Sequence, residues 1–597
     1  MAFREFHTGN SNTSDKDALS VNIPDNPFEV LPVVPAAWLC AAFERLSTAD
    51  AELAIRHKIV PLTWIPTVTI YAVATEAGFQ HAKELGLKVV GRIDLALMRR
   101  AIYRNFGKAL VRKATYQLDY QKPDLSARQR IIPEQLAWLA LLVSAIAFSL
   151  VVFPTHWTID AIALCVSFLF TMVIALKVFC LMPMRYRRLK TAPRLHDEEL
   201  PVYTVLVPVF EETAVLRQLL QALKAIDYPK HKLDIKLILE ASDTKMHRAV
   251  SAQQLPDYFD ILVVPPGLPQ TKPRALNYGL QLARGSLLTI YDSEDIPQPN
   301  QLRLAAETFA VADRNVGCLQ ASLQFYNGNE NWLTRQFAAE YAGLFKVILP
   351  QLAAQGLPIL LGGTSNHFRI DILQRVGAWD PFNMTEDADL GLRLERCRFK
   401  TSMLDSATFE EANSELWNWL NQRRRWLKGF LQTWLVHNRR PLVFSKAIGR
   451  DGFWVAQSMT LGIFASALLH PFLLANSFWF LAPARVVAAS HDTFYTCIAG
   501  ANLALLVGGY GASMVISSIG MKRSGIQSTW FTLASMPIYW LLMSLAAWMA
   551  LWDFVVRPFH WHKTKHGLSR FMKKDAERKR ESYPPAPQRK RQIILPV

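Results

Sequence analysis

Two long runs of apolar residues constrain this chain more than any other feature of its sequence. Leu136–Phe153 contains no charged residue, and Ala161–Met182 follows after a short link. Each run is long enough to cross the ~30 Å hydrocarbon core of a bilayer as a helix. Hydrophobic residues make up 51% of the 597 residues and charged residues 19%, below the roughly 25% charged residues of soluble domains. The composition excludes a disordered or fibrous chain and predicts a membrane protein.

The distribution of Lys and Arg predicts how the chain crosses the membrane. The net charge is +17. The link Pro154–Asp160 holds no Lys or Arg, whereas arginines cluster just after Met182. The positive-inside rule therefore puts the N-terminal part and the segment after Met182 in the cytoplasm, as expected for a bacterial inner-membrane protein. We expect no nucleic-acid binding, because no zinc, homeodomain or RNA-binding signature accompanies the charge.

Three further apolar segments lie near the C-terminus. Phe453–Leu481 and Thr496–Ile516 are predicted to span the membrane. Trp530–Val556 is interrupted by Pro537 and Asp553 and has basic residues on both flanks, so it is predicted to be an interfacial or re-entrant helix. The total is four spans, with six as the alternative. Both counts leave the basic tail, 557–597, in the cytoplasm, either on the lipid headgroups of the inner membrane or as a solvated end.

Between residues 199 and 440 the pattern changes to short strands that alternate with helices. The strands are predicted at Tyr203–Phe210, Lys236–Glu240, Ile261–Val264 and Leu287–Tyr291, with helices such as Ala214–Ile226 and Arg274–Leu282 between them. This alternation predicts a Rossmann-like α/β domain with a parallel sheet. Such sheets bind ligands at the carboxyl ends of their strands.

The chain thus divides into five predicted parts. They are a small α+β N-terminal domain (27–127), two transmembrane helices (136–182), the α/β domain (199–440), transmembrane and interfacial helices (452–556), and a C-terminal motif with a basic tail (557–597).

Acidic residues follow one of the predicted strands directly. The stretch LLTIYDSEDIPQP, from residue 287 to residue 299, runs from an apolar strand into Asp292, Glu294 and Asp295. Two carboxylates with one residue between them can share a hard divalent cation that also takes oxygens from a diphosphate. An acidic surface turn is the alternative for this stretch alone. The pattern predicts an Mg²⁺ or Mn²⁺ site at Asp292 and Glu294.

Six other motifs stand in a fixed order around this acidic loop. They are LVPVFEE (206–212), LILEASD (237–243), TKPRALNYGL (271–280), LLGGTSNHFR (360–369) with TED (385–387), and QRRRW (422–426). Together they resemble the membrane-integrated family 2 glycosyltransferases, which include the cellulose and hyaluronan synthases. The resemblance implies a GT-A fold for the α/β domain, embedded between transmembrane helices.

The resemblance also implies roles for individual residues. Asp387 of TED is the general base, and Asp292 with Glu294 is the metal-binding pair, Glu294 replacing the family's second Asp. The substrate-binding positions that it implies are Glu240, Asp243, Lys272, Gln422, Arg425 and Trp426. PFHWHKTKHG (558–567) resembles the gating loop of these synthases, which adds Trp561, Lys563 and Thr564. The three histidines of that motif invite a metal site, but no carboxylates lie nearby in the sequence.

The N-terminal domain resembles the small domain at the start of type II secretion ATPases. The match comprises the IVPL stretch at Ile59–Leu62, the strand Thr67–Val73 and the helix Asp94–Phe106. That family includes cyclic di-GMP binders, but the paired R-L-G-x-x-L repeats of those binders are not found here. Cyclic di-GMP regulation is therefore an expectation without motif support. No Walker A motif follows the domain, which disfavours an ATPase.

These observations predict a processive, inverting glycosyltransferase. It would polymerise a UDP-sugar, UDP-glucose being favoured, into a β-linked exopolysaccharide and extrude the polymer, with help from export partners that the sequence does not name. A non-processive enzyme that acts on a lipid acceptor is the alternative; it would keep the TED motif but would not need QRRRW. A non-catalytic export or receptor scaffold is a third hypothesis, and the intact acidic motifs argue against it. The donor sugar and the linkage stay open.

Overall fold

The structure is a computed structural model that describes residues 28–62, 69–183, 194–481, 493–527 and 529–557. The chain forms two compact units, residues 1–101 and residues 102–597. The predicted basic tail and the arginines at 185, 187 and 188 lie outside the described residues.

The first unit is a small α+β domain, as the sequence predicts. Its elements are α1 (Ala36–Phe43), α2 (Thr48–Glu52), β1 (Ile59–Pro61), β2 (Tyr71–Val73), α3 (Glu76–Glu84) and β3 (Val89–Arg92). β2 lies in the middle of the sheet, antiparallel to β1 and parallel to β3. Ile59, Val73 and Ala82 are fully buried at its core. The resemblance of this domain to secretion ATPases stays a prediction.

Helix α4 (Leu95–Gln121) is longer than the predicted helix Asp94–Phe106. The sequence analysis ended the helix early because a polar, basic stretch follows. The structure continues the helix because Leu110, Ala114 and Leu118, four residues apart, are all buried on one side. A helix can bury such a stripe while the basic residues between its members face away from the contact.

The second unit is built on an eight-stranded sheet. Its strands are β4 (Tyr203–Val209), β5 (Leu233–Glu240), β6 (Phe259–Val264), β7 (Leu287–Ile290), β8 (Ile296–Pro297), β9 (Val316–Phe325), β10 (Asn366–Arg369) and β11 (Lys400–Glu410). They are arranged in the order β6-β5-β4-β7-β10-β9-β11-β8. The four predicted strands are thus neighbours, and all three of their pairings are parallel.

The rest of the sheet is mixed rather than parallel. β10 runs antiparallel to both β7 and β9, β11 runs parallel to β9, and β8 runs antiparallel to β11. The alternating pattern predicts where strands lie but not their directions, since direction is set by the connections that only the folded chain shows. The predicted fold class, an α/β GT-A domain between helical segments, is confirmed, with a mixed sheet in place of the expected parallel one.

Helices surround this sheet and continue into an apolar bundle. Around the sheet lie α7 (Leu216–Lys224), α8 (Thr244–Ser251), α9 (Lys272–Gln281), α10 (Gln301–Val311), α11 (Trp332–Gly343), α12 (Leu349–Ala354), α13 (Ile370–Val376) and α14 (Glu386–Arg396). The bundle and its connections comprise α5 (Pro133–Val152), α6 (Thr155–Leu181), α15 (Leu416–His437), α16 (Pro441–Gln457), α17 (Ile463–Leu481), α18 (Thr493–Arg523), α19 (Trp530–Ala534) and α20 (Met536–Val556).

Five described helices are long and apolar enough to cross a membrane, one more than the predicted four spans. They are α5, α6, the α16–α17 segment, α18 and α20. The additional one, α20, is the segment that the sequence analysis assigned to the interface because it contains Asp553 and has basic residues on both flanks. The structure pairs the fully buried carboxylate of Asp553 with both Arg424 side-chain nitrogens that face it. A paired acid is far less costly in an apolar bundle than an isolated one, so Asp553 does not prevent α20 from spanning.

We expect the Arg424–Asp553 pair to be required for a stable contact between α15 and α20. Asp553→Asn keeps the shape of the side chain but leaves the Arg424 guanidinium without its counter-charge. Removing one partner of a buried pair costs about 3–5 kcal/mol, so the variant should unfold at a lower temperature in detergent. Asp451→Asn is the matched control, because Asp451 is 79% exposed beside Arg450. Equal melting temperatures for both variants would show that the pair contributes nothing.

Candidate active site

A single cavity of about 720 Å³ joins the sheet to the apolar bundle. On the side of the sheet, its lining includes the predicted site residues Glu240, Lys272, Asp292, Glu294, Asp387, Gln422, Arg425 and Trp426. On the other side, it continues between α6, α17, α18 and α20. The structure therefore brings eight of the predicted residues into one space that reaches into the membrane helices.

The loop after β7 carries the predicted metal ligands and is shaped by its third acid. The Asp292 backbone N–H donates to Asp295 Oδ2 at 2.7 Å, and the Thr364 hydroxyl donates to the same carboxylate. The Thr364 Oγ1 also lies 3.1 Å from the Ile290 carbonyl oxygen, within hydrogen-bond distance. Asp295 is almost fully buried, so its task is to fold the loop. This leaves the side chains of Asp292 and Glu294 to line the cavity.

Lys272, at the start of α9, provides the positive charge opposite Asp292. Its Nζ lies 2.5 Å from Asp292 Oδ1 and donates to the Gly363 carbonyl at 2.7 Å. Burial would lower the pKa of Lys272, but the charges of Asp292, Glu386 and Asp387 outweigh it and raise the pKa. The lysine is therefore a permanent cation at neutral pH, next to the first acid of the loop.

Among the described residues that line the cavity, acidic side chains outnumber cationic ones. Burial raises the pKa of Asp295 well above the usual range, and repulsion from Asp292 and Glu294 adds to the increase. Glu410, at the end of β11, shows the same direction of pKa shift, from burial and then from these acids. A divalent cation would relieve this repulsion, and carboxylate oxygens are the ligands that Mg²⁺ and Mn²⁺ prefer.

The residues present fit such a cation if a bound substrate supplies part of its coordination sphere. Within the described residues, no three His, Cys, Asp or Glu side chains form a group that could hold a metal alone. Asp292 and Glu294 can supply two carboxylates, and oxygens of a bound diphosphate would have to complete the set.

Asp387 and Glu386 form a buried pair of acids in the first turn of α14. Asp387 Oδ1 accepts from the Ala388 N–H at 2.8 Å, and its Oδ2 would lie 3.3 Å from a Cβ placed on Gly363. Burial raises the pKa of Asp387, while Lys272 lowers it. For Glu386, burial and then the Asp387 charge raise the pKa to about 8. At neutral pH Glu386 is thus mostly protonated.

The QRRRW motif lies on α15, and four of its five residues line the cavity, all except Arg424. Gln422 Oε1 accepts from Asn413 Nδ2 at 2.9 Å. The charges of Glu386, Asp292 and Asp387 all act on the Arg425 guanidinium. The Trp426 ring is half-buried and lies nearly parallel to the Tyr341 ring, with 6.2 Å between centroids. A partly open aromatic face beside a cation and a carboxylate is suited to hold a sugar ring.

The two acids after β5 differ in where they lie. Glu240 lines the cavity, and its Oε2 accepts from Arg274 Nη2 at 2.7 Å. Asp243 caps α8 by accepting from the Met246 N–H at 3.0 Å, and its second oxygen accepts from the Glu211 N–H at 2.5 Å. Because both oxygens of Asp243 already bind backbone donors, its contact with a substrate stays a prediction.

Three other predicted residues lie outside the described part of the chain. They are Trp561, Lys563 and Thr564. The sequence analysis missed Glu386 and Glu410; Glu386 is the middle residue of the quoted TED motif, and Glu410 belongs to no quoted motif. Neither has a distinguishing pattern, since one-residue neighbours on a helix or a strand usually face different ways. Only the fold shows that they share the cavity.

Comparison with known proteins assigns this domain. Residues 201–429 match the family described as "Glycosyltransferase like family 2". This segment is therefore similar to family 2 glycosyltransferase domains. It contains all eight of the predicted residues that line the cavity, and the predicted enzyme class, a hexosyltransferase that uses a nucleoside-diphosphate sugar, is confirmed for it.

Three curated relatives show how far the similarity extends. A probable glycosyltransferase of Bacillus subtilis, YdaM, is 25% identical over 305 residues, which cover 48% of this chain and 69% of that protein. A beta-monoglucosyldiacylglycerol synthase of Synechocystis is 27% identical over 43% of this chain and 54% of its own length. The cellulose synthase 1 catalytic subunit of Komagataeibacter xylinus is 22% identical over 41% of this chain and 32% of its own length. The chain therefore spans about half to two thirds of the first two relatives.

The Glu386–Asp387 pair makes a specific prediction about pH. Burial raises the pKa of Asp387. Because a general base must be ionised to act, kcat/KM should fall as the pH is lowered through this pKa, which gives an acid limb in the pH profile. Gln has the shape of a protonated Glu, so Glu386→Gln should keep this limb and stay within about threefold of wild type below pH 7. A second ionisation near pH 8, from Glu386 itself, should be present in wild type and missing in the variant.

The measurement is kcat/KM from pH 5 to pH 9.5 for wild type, Glu386→Gln and the control Glu415→Gln. If Glu386→Gln lost the acid limb together with its activity, Glu386 and not Asp387 would be the base.

Proposed function

We propose that this protein is a processive, inverting glycosyltransferase that extends a β-linked glycan from a UDP-sugar, UDP-glucose being favoured. The observation that carries the proposal is the continuity of the cavity, which begins at Asp292 and Asp387 and ends between membrane helices. A product made at one end of this space has a path along it. Soluble transferases have no use for such a passage.

The donor would bind between the carboxyl ends of β5 and β7. Glu240 lies at the end of β5, where a nucleoside could hydrogen-bond to it, and Lys272 with Arg425 supplies positive charge for the diphosphate. Asp292 and Glu294 would hold Mg²⁺ or Mn²⁺. That ion, when bound, would neutralise the leaving diphosphate.

Asp387 would accept the proton of the acceptor hydroxyl as the new glycosidic bond forms. Burial raises the pKa of Asp387, while the charge of Lys272 favours its ionised form. One carboxylate base with no second carboxylate assigned as a nucleophile corresponds to a single displacement, which inverts an α-linked donor to a β-linked product. The reaction balances because the hydroxyl proton goes to Asp387 and the bond electrons leave with the diphosphate.

The acceptor would lie on Trp426, at the end of the cavity that faces the membrane helices. Trp426 is positioned from behind by Tyr341 and by the Arg423 guanidinium, 4.7 Å from its ring centroid. Holding the acceptor there after each transfer is what processive synthesis requires.

A lipid acceptor is the second candidate, and the walls of the cavity favour it. Between the membrane helices the lining is mostly aliphatic, for example at Val173, Leu473 and Leu505. Such a wall suits a hydrocarbon chain better than a glycan. The site chemistry is the same in both cases, so the two candidates differ only in the acceptor.

We further propose that the enzyme lies in a bacterial inner membrane with the catalytic domain, the N-terminal unit and the tail in the cytoplasm. This arrangement needs an even number of spans, so α20 would lie along the membrane interface. The bias of Lys and Arg around the spans supports this orientation. Export partners and cyclic di-GMP binding by the N-terminal unit remain proposals that rest on the family resemblance alone. The contacts of Trp561, Lys563 and Thr564 with the donor are likewise proposed from that resemblance alone.

The function is tested with purified protein in lipid nanodiscs and a panel of labelled UDP-sugars. A processive enzyme should convert one of them into a product that is retained by size exclusion and sensitive to a β-specific glycosidase. A product that extracts into organic solvent would instead support the lipid acceptor. Release of UDP without any glycosylated product would contradict both candidates.

Metal removal should abolish transfer. With EDTA, or with Glu294→Gln, the acids of the loop after β7 can no longer share a cation with the diphosphate, and turnover should fall by at least about 10²-fold. Glu294→Asp is the matched control, because Asp is the shorter acid that the resembled family has at this position and the negative charge is kept. This variant should keep most of the activity when Mn²⁺ is added. Full turnover in EDTA would show that the acids serve another purpose.

Asp387→Asn should separate chemistry from binding. The amide keeps the shape of Asp387 but cannot take a proton, and general-base contributions are ~10²–10⁴-fold, so kcat should drop by about that factor. UDP affinity should stay near that of wild type, because Lys272 and the loop after β7 are unchanged. Asp371→Asn, an exposed acid on α13, controls for the loss of one charge.

The same variant distinguishes a structural role. If Asp387 only stabilised the first turn of α14, Asn would replace it with little loss, and near-normal turnover would remove Asp387 from the mechanism.

A further inference from the structure

Lys177 places a positive charge in the part of the cavity that lies between membrane helices. It lies on α6, about one turn before that helix ends at Leu181. Its Nζ donates to Ser513 Oγ at 2.7 Å and lies 5.1 Å from the centroid of the Trp540 ring. All three residues line the cavity. Ionisable side chains within spanning helices are costly and are usually retained for a function.

The acid that acts on this lysine is already engaged by other groups. It is Glu340 on α11. Its two oxygens accept from the Arg423 guanidinium at 2.8 and 2.6 Å, and one of them also accepts from the Tyr539 hydroxyl at 2.6 Å. Among the described residues, the Lys177 ammonium therefore contacts a neutral hydroxyl, of Ser513, and an aromatic ring, of Trp540. Neither cancels its charge.

The surroundings of Lys177 change from polar to apolar over a short distance. The Tyr510 hydroxyl bonds with His470 Nε2 at 2.7 Å, and the Tyr510 ring lies 4.9 Å from that of Trp540. The cavity wall near this group is apolar and includes Phe170, Val173, Ile174, Leu473, Leu505 and Leu506. A cation at one end of an aliphatic wall matches a ligand with an anionic head and a hydrocarbon chain.

We propose that Lys177 and Ser513 bind the phosphate group of a lipid whose hydrocarbon chain lies along this apolar wall. Phosphate supplies the counter-charge that a buried ammonium needs and several acceptor oxygens. The chain gains from leaving its contact with water. A neutral glycan would leave the charge unbalanced. The inference rests on the proposed function only in that the helical bundle lies in a membrane; it does not depend on the sugar chemistry.

The test measures binding rather than turnover. The full chain, purified in an uncharged maltoside detergent, is titrated with dioctanoyl phosphatidate, with dioctanoylglycerol and with inorganic phosphate. Wild type should bind the phosphatidate at least about tenfold more tightly than dioctanoylglycerol, since hydrogen bonds to charged groups contribute about that factor. Lys177→Met should remove this preference, and Lys177→Arg should keep most of it. Lys522→Met, at the exposed end of α18, is the matched control and should bind like wild type.

Three results would overturn the inference. They are equal affinity of wild type for the two lipids, a preference that survives in Lys177→Met, and inorganic phosphate that binds as tightly as the phosphatidate. UDP binding to each variant verifies that the catalytic domain is folded. If Lys177→Met is not folded, Ser513→Ala replaces it, and a several-fold weaker preference for the phosphatidate is expected. Phosphatidate binding in a preparation that transfers no sugar would contradict the proposed function and leave this site standing.

Discussion

The ion-pair cluster around Arg423 is the interaction on which the rest of this structure depends. Its guanidinium binds the Glu340 carboxylate through two nitrogens and the Tyr539 hydroxyl at 2.9 Å, and it lies over the rings of Phe337 and Trp426. These groups come from α11, α15 and α20, so one charge joins the catalytic domain to a membrane helix. Arg423 is nearly fully buried, which makes the cluster costly to break.

These contacts fix the position of α15 and, with it, the geometry of the site. The residues on either side of Arg423 then have fixed directions: Arg424 pairs with Asp553 on α20, whereas Arg425 and Trp426 face the cavity. Further along α15, a Cβ on Gly429 would lie 2.5 Å from Thr385, so only glycine permits this close approach to the start of α14. The proposed base on α14 and the proposed acceptor platform on α15 are thus positioned by the direct packing of these two helices.

The candidate site could be predicted from the sequence where function depends on short, ordered motifs. Asp292, Asp387 and Trp426 each belong to a motif, and all three line the cavity. The sequence analysis failed where a residue acts through partners remote in the chain. The sequence analysis assigned Asp295 no role of its own, whereas in the structure its carboxylate folds the loop with Thr364, and the partner of Asp553, Arg424, is more than a hundred residues away in the chain.

By itself the sequence determined the apolar segments, the strands β4 to β7 and the family of the catalytic domain, because each depends on local periodicity or on residues close together in the chain. The tertiary structure alone decided the antiparallel place of β10, the fifth membrane-length helix and the cavity that links Asp387 to Lys177. Each of these results from contacts between distant segments. The cost of a buried charge is set by its partner in space, and no pattern along the chain records that partner.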